Sequence, residues 1–269
     1  MANLAEWVAM LRQEGYGEAN AQARLCQDIV LKAISDSALH RNVTVKGGVV
    51  MQSITKDVRR ATQDIDMDFI HYSLSDAAID RFLQELDKHS DFHVERTGRI
   101  EALRQQDYKG KRVYVIIHDS EGNSIKTKID FGVHKDFNIE QDEYCFDVCM
   151  DDDGASLLIN SKEQMLTEKL KSLLKFGPFS TRFKDVFDLS YLVDVVDKNR
   201  LQHCFDFYIF GKGDMREHTV ADIVRRLEMT FSDKRYRQRL ATSRKNWNEM
   251  SSDDAFRKII SFLKEMEVD

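Results

Sequence analysis

Apolar residues recur at three-and-four spacing in "AEWVAMLRQ" (residues 5–13) and "ARLCQDIVLKAISDSAL" (23–39), which predicts two amphipathic helices within residues 1–40. Residues 43–54 read as a short strand, a Gly-Gly turn and the start of a helix, and 64–70 as a second strand. "SDAAIDRFLQELDKHS" returns to helical spacing, with Ser75 as its N-cap. The texture then changes to alternation of β-branched and polar residues in "FHVERTGRIEAL", "KRVYVIIHDS" and "IKTKIDFGVH", with "DSEGN" as a hairpin loop between the last two. Residues 141–160 are expected to contain an acidic loop, "MDDDGAS", and from 161 the helical period runs to the end. The pattern predicts an α+β fold. A small mixed β-sheet core with N-terminal helices spans 1–155, and a helical domain spans 156–269.

Composition narrows the class. One proline and 12 glycines in 269 residues leave little room for long irregular segments. Charged residues make up 32% and the formal net charge is −6. A nucleic-acid partner would therefore have to be held by a local basic patch or through a metal ion. No apolar run approaches the ~18 residues of a membrane span, and the N-terminus lacks the basic segment of a secretion signal. Cys26, Cys145, Cys149 and Cys204 form no CxxC pair, so reduced cysteines and a cytoplasmic location, away from any membrane, are expected.

One short stretch resists a purely structural reading. In "QDIDMDF", Asp64, Asp66 and Asp68 alternate with Ile65, Met67 and Phe69. On a strand the three acids share a face. Like charges at that spacing repel, and aspartate is a poor strand former. Such a set is suited to hard divalent cations, which take oxygen ligands. Asp130, between Ile129 and Phe131 in "KTKIDFGV", is the natural further carboxylate from an adjacent strand. Gly47-Gly48, after a strand and opening a helix, lets backbone N–H groups approach an anionic ligand.

The "KGG" at 46–48, followed by "RATQDID" at 60–66, resembles the core of polymerase-β-type nucleotidyltransferases, and more narrowly the AbiEii/AbiGii toxin family. Thr62 stands near the position where that family usually has serine. The resemblance implies that Lys46, Gly47 and Gly48 hold the triphosphate. It also implies that Asp64, Asp66 and Asp130 bind metal, with Mg²⁺ or Mn²⁺ as the cofactor, leaving Asp68 as a spare.

The helical half adds a second constellation. In "KEQMLTEKLKSLLKF", Met165, Leu166, Leu170, Leu173, Leu174 and Phe176 form an apolar arc that includes Lys169. In "FKDVFDLSYLVDVV", Asp185 and Asp188 share a face with Leu192, Val195 and Val196. An ammonium on an apolar face needs an anion. Either Lys169 ties the helices together through the aspartates, or it contacts nucleotide phosphate with Asp185 or Asp188 orienting it or joining in catalysis. The family resemblance, carried by Glu168-Lys169-Leu170 and "RFKDVFDL", implies the second. It extends nucleotide binding to Arg182 and Lys184. Residues 225–245 hold eight basic and two acidic residues, with Phe231 and Tyr236 among them, a candidate RNA-contacting surface.

The expected activity is metal-dependent transfer of NMP from an NTP, with ATP, GTP and CTP all open. The resemblance implies a toxin of a toxin–antitoxin system, with RNA (tRNA) as acceptor and a cognate antitoxin as partner. The rival readings are nucleotidylation of a protein hydroxyl and a non-enzymatic module that binds a nucleotide or partner.

Overall fold

Along β2 (Ile65–Phe69) the side chains Ile65, Met67 and Phe69 are fully buried, as their alternation requires. The computed structural model describes residues 3–103, 110–134 and 138–267, and the chain divides into two compact units, Met1–Asn160 and Ser161–Asp269. In the first unit the elements run α1 (Leu4–Gln13), α2 (Glu18–Asp36), β1 (Val43–Lys46), α3 (Gly47–Thr55), β2 and α4 (Asp76–Lys88). Strands β3 (His93–Leu103), β4 (Gly110–His118), β5 (Ser124–Val133), β6 (Asp142–Val148) and β7 (Asp151–Ile159) follow. Among the described residues these strands form one mixed sheet of order β3-β4-β5-β2-β1-β7-β6. β2 pairs antiparallel with β1 and parallel with β5.

The face of the sheet bearing Ile65, Met67 and Phe69 is covered by helices. Phe69 stacks on Phe131 at 4.9 Å between ring centroids, and Phe82 of α4 meets both edge-on at 5.2 and 5.4 Å. Ser75 caps α4 by accepting from the Ala78 N–H, as its position in the sequence predicted.

The expected acidic loop "MDDDGAS" is instead the start of β7. Its far end lies parallel to β1, pairing Thr44 with Leu158 and Val45 with Ile159, while its length runs antiparallel to β6. β6, the partner of its first residues, was not marked as a strand by the sequence either, so the local acidity masked the hairpin. Asp152 and Asp153 point outward, and Asp151 is neutralised by Lys32 of α2 at 2.6 Å. Gly154, at φ +71°, fits where a Cβ would lie 2.6 Å from the Phe146 carbonyl oxygen, beside a register shift in β6.

The second unit is helical: α5 (Lys162–Phe176), α6 (Phe183–Leu192), α7 (Lys198–Tyr208), α8 (Val220–Ser232), α9 (Lys234–Thr242) and α10 (Ser252–Glu265). Two apolar positions of the helical reading are corrected here. Phe176 is 52% exposed, because it ends α5 just before the chain turns at Gly177. Val195 lies beyond the end of α6 and is also exposed.

Removing the shared ring of the aromatic cluster tests this packing. Phe131→Ala is expected to lower stability by about 3–5 kcal/mol, read as a lower midpoint in denaturant or thermal unfolding.

Candidate active site

Strand register brings four charged residues into one row. Lys46 of β1 pairs with Asp66 of β2, Asp66 with Asp130 of β5, and Asp130 with Arg112 of β4. Partnered positions share a face, so the row alternates cation, anion, anion, cation across four strands, on the face opposite Ile65, Met67 and Phe69. Each acid is held differently. Arg112 donates from Nε to Asp130 Oδ1 and from a terminal nitrogen to Oδ2, both at 2.7 Å, a bidentate fork. These hydrogen bonds hold the Arg112 guanidinium charged, above its ordinary pKa. Asp68, one pleat along β2, ion-pairs with Lys46 at 2.7 Å, and both are nearly buried. Asp64, just ahead of β2, meets Lys128 at 3.1 Å in a more exposed setting.

The two glycines are explained by how closely these side chains approach. A Cβ on Gly47, where φ is +67°, would lie 2.6 Å from Asp66 Oδ2. A Cβ on Gly48 would lie 2.4 Å from Thr62 Oγ1. Both contacts are shorter than real Cβ atoms tolerate, so the helix α3 can begin against the acidic strand only because these residues lack side chains. Lys46 occupies the N-cap of α3 without a side-chain cap hydrogen bond. The helix start, with its partial positive charge, therefore sits beside Asp66.

Asp66 and Asp130 are thus neighbours in register, and Asp64 lies on the same face. Among the described residues no group of three or more His, Cys, Asp or Glu converges into a metal cage. Asp66 and Asp130 present carboxylates side by side in register, with both Asp130 oxygens bound by Arg112. Arg112, Lys128 and the Lys46–Asp68 pair were not singled out as the partners of these acids by the sequence, since each pairing depends on register or strand order.

In the helical unit Lys169 of α5 contacts Asp185 Oδ1 at 2.8 Å and Asp188 Oδ2 at 2.7 Å, both on α6. Asp188 is fully buried and also accepts from the Trp247 indole N–H at 2.9 Å. The structure thus brings together Lys169, Asp185 and Asp188. Arg182 stands at the rim, 3.8 Å from Asp185 and 65% exposed, while Lys184 is half-buried on the first turn of α6. Tyr236 packs nearby with its hydroxyl pKa raised, first by burial and then by the Asp185 charge. Tyr236 and Phe231 are core residues, so the basic stretch 225–245 does not present them to a ligand.

The motifs around the glycine pair, the acidic strand and Lys169 all fall within residues 29–261, which match the family model described as nucleotidyl transferase AbiEii toxin, type IV toxin–antitoxin system. The chain belongs to the AbiEii family. Its mixed sheet followed by helices agrees with the α+β nucleotidyltransferase fold of AbiEii proteins. No curated protein matches the sequence. No helix among the described residues is long and apolar enough to cross a membrane.

Substitutions at two positions test the geometry. Gly48→Ala drives a methyl into Thr62 and is expected to lower the melting temperature, with Gly48→Ser worse. Lys169→Met keeps the stem and strands two carboxylates, one of them fully buried. A loss of about 3–5 kcal/mol is expected, measured by denaturant unfolding. An unchanged midpoint would show that the ion triad does not hold α5 to α6.

Proposed function

We propose that this AbiEii-family nucleotidyltransferase moves an NMP group from an NTP to an RNA hydroxyl, with tRNA as the favoured acceptor, in a Mg²⁺-dependent reaction. It would act as the toxin opposed by a cognate antitoxin. The observation that carries the reading is the pairing of Asp66 with Asp130 in register, next to the glycine-opened start of α3.

Mg²⁺ commonly takes one or two carboxylates and completes its shell with water and substrate phosphates. Asp66 and Asp130 match that donor set, with Asp64 on the same face and held by Lys128. The bound ion would supply positive charge to the triphosphate and stabilise the departing pyrophosphate. The chain's own residues do the rest. The start of α3 at Gly47 and Gly48 offers backbone N–H groups to phosphate oxygens. Lys46, fixed by Asp68, adds a cation on the same row. The acceptor hydroxyl oxygen would bond to the α-phosphorus as the α–β phosphoanhydride bond breaks, pyrophosphate leaving and the hydroxyl proton passing to water. Within the helical unit, Lys169, fixed by Asp185 and Asp188, and the neighbouring Arg182 and Lys184 are proposed as phosphate-contacting cations. Arg112 keeps Asp130 oriented, and its fork must loosen or share the carboxylate when a cation binds.

The deciding experiment incubates the protein with each labelled NTP, Mg²⁺ and total RNA, then separates RNA from protein products. Label in RNA supports the proposal. Label confined to protein would replace the acceptor by a protein hydroxyl, and no label with any NTP would leave a binding module. Asp66→Asn, which removes charge and keeps shape, is expected to reduce transfer by at least about a hundredfold. It should leave the melting temperature unchanged or raised, as repulsion from Asp130 is relieved. Wild-type turnover in Asp66→Asn at saturating Mg²⁺ would overturn the metal reading.

A further inference from the structure

Between α5 and α6 the chain makes a tight 3₁₀ turn, Gly177–Phe179, that displays an aromatic ring to solvent. Phe179 is 84% exposed, Phe176 52% and Met229, on the neighbouring α8, 59%. Exposed phenylalanine usually marks a slack loop or a contact surface, and here the loop is not slack. Gly177 adopts φ +51°, and a Cβ there would lie 3.2 Å from an Arg226 terminal nitrogen. Pro178 fixes the next φ. Ser180, at the end of the turn, is buried and accepts from the Arg182 N–H at 3.3 Å.

The turn is also clamped by arginines. Arg226 of α8 donates through Nε to the Leu174 carbonyl at 3.4 Å, and Arg239 of α9 donates to the Pro178 carbonyl while lying over the Phe183 ring at 5.6 Å. Both donate to main-chain oxygens rather than to carboxylates, so their charge is not cancelled by the bond they make. Other arginines of the same basic stretch differ: Arg225 pairs with Asp222, and Arg237 with Asp253. Arg182, three residues after Phe179, is mostly exposed and lies 3.8 Å from the Asp185 carboxylate, so it too is partly paired. The patch therefore combines exposed rings on a held main-chain turn with guanidinium groups in a protein whose formal net charge is −6.

We propose that this turn is a docking platform for a single-stranded segment of RNA, with Phe179 and Phe176 stacking on bases and Arg226 and Arg239 meeting backbone phosphates. The proposal rests on the RNA-acceptor reading above and locates where the acceptor is gripped. Aromatic faces beside cations are the features that hold single strands without regard to sequence. A protein partner could also bury the rings beside arginines; what favours RNA is that both guanidinium groups bond main-chain carbonyls and leave their charge for phosphate, and the salt slope measured below separates the two. The held main chain of the turn also removes part of the ordering cost of binding.

The test measures binding of a short, mixed-sequence, fluorescein-labelled single-stranded RNA by anisotropy at several salt concentrations. It compares wild type, Phe179→Ala and Arg226→Gln, with melting curves on each sample. Phe179→Ala is expected to melt like wild type, because its ring is already in water, and to weaken RNA binding about fivefold or more with an unchanged salt slope. Arg226→Gln is expected to flatten the log–log salt slope by about 0.7. Wild-type RNA affinity in Phe179→Ala overturns the platform. If wild type still labels RNA from an NTP in that case, the acceptor reading stands and only the platform fails. A wild-type protein that neither binds nor labels RNA overturns both.

Discussion

The rest of the nucleotidyltransferase unit is arranged around the need to keep two carboxylates next to each other on a sheet. At the ~5 Å separation of neighbouring strands, two bare charges repel by about 3 kcal/mol at an effective dielectric of ~20. That is a large share of the stability of an ordinary domain. The sheet answers with cations on both flanks of the same row, Lys46 on one side and Arg112 on the other. The opposite face is given over to an uninterrupted apolar layer of Ile65, Met67, Phe69, Ile129 and Phe131. The charged row can exist because half of each of these strands is committed to holding it in place.

The same constraint explains the glycines. In the sequence they read as a phosphate-binding device, and the structure gives them an additional duty. Asp66 and Thr62 press so closely on the start of α3 that no side chain fits at positions 47 or 48. Anion binding and close packing therefore require the same residue type, and a substitution that harms activity would not by itself say which requirement it violated.

Much of the fold was legible in the sequence because its elements carry clear periods. The helices at 4–13 and 18–36, the Ser75 cap and the alternating strands from 93 to 133 all follow from spacing that water and the core impose locally. What was illegible depended on pairing. The start of β7 became a strand because it folds back on β6, which the sequence did not mark as a strand either. Arg112 could not be assigned to Asp130 without knowing that β4 borders β5 in that register. Phe231 and Tyr236 sat in a basic run and so looked exposed, yet their helices turn them into the core. In the candidate site, the identity of the acids and of Lys169 was readable, because charged residues on apolar faces are conspicuous. The counter-ions that hold the strand acids were not.

Trp247 gives the helical unit a built-in reporter. The chain has two tryptophans, and the other, Trp7, lies in the first unit. The Trp247 indole donates its only N–H to a carboxylate that is itself locked to Lys169. Because indole emission responds to the charge and hydrogen bonding at its nitrogen, any event that pulls Lys169 away from Asp188 would change the colour and intensity of this residue's fluorescence. The ion triad can therefore be watched optically in the unmodified protein once the Trp7 signal has been subtracted, without a label or a mutation in the triad.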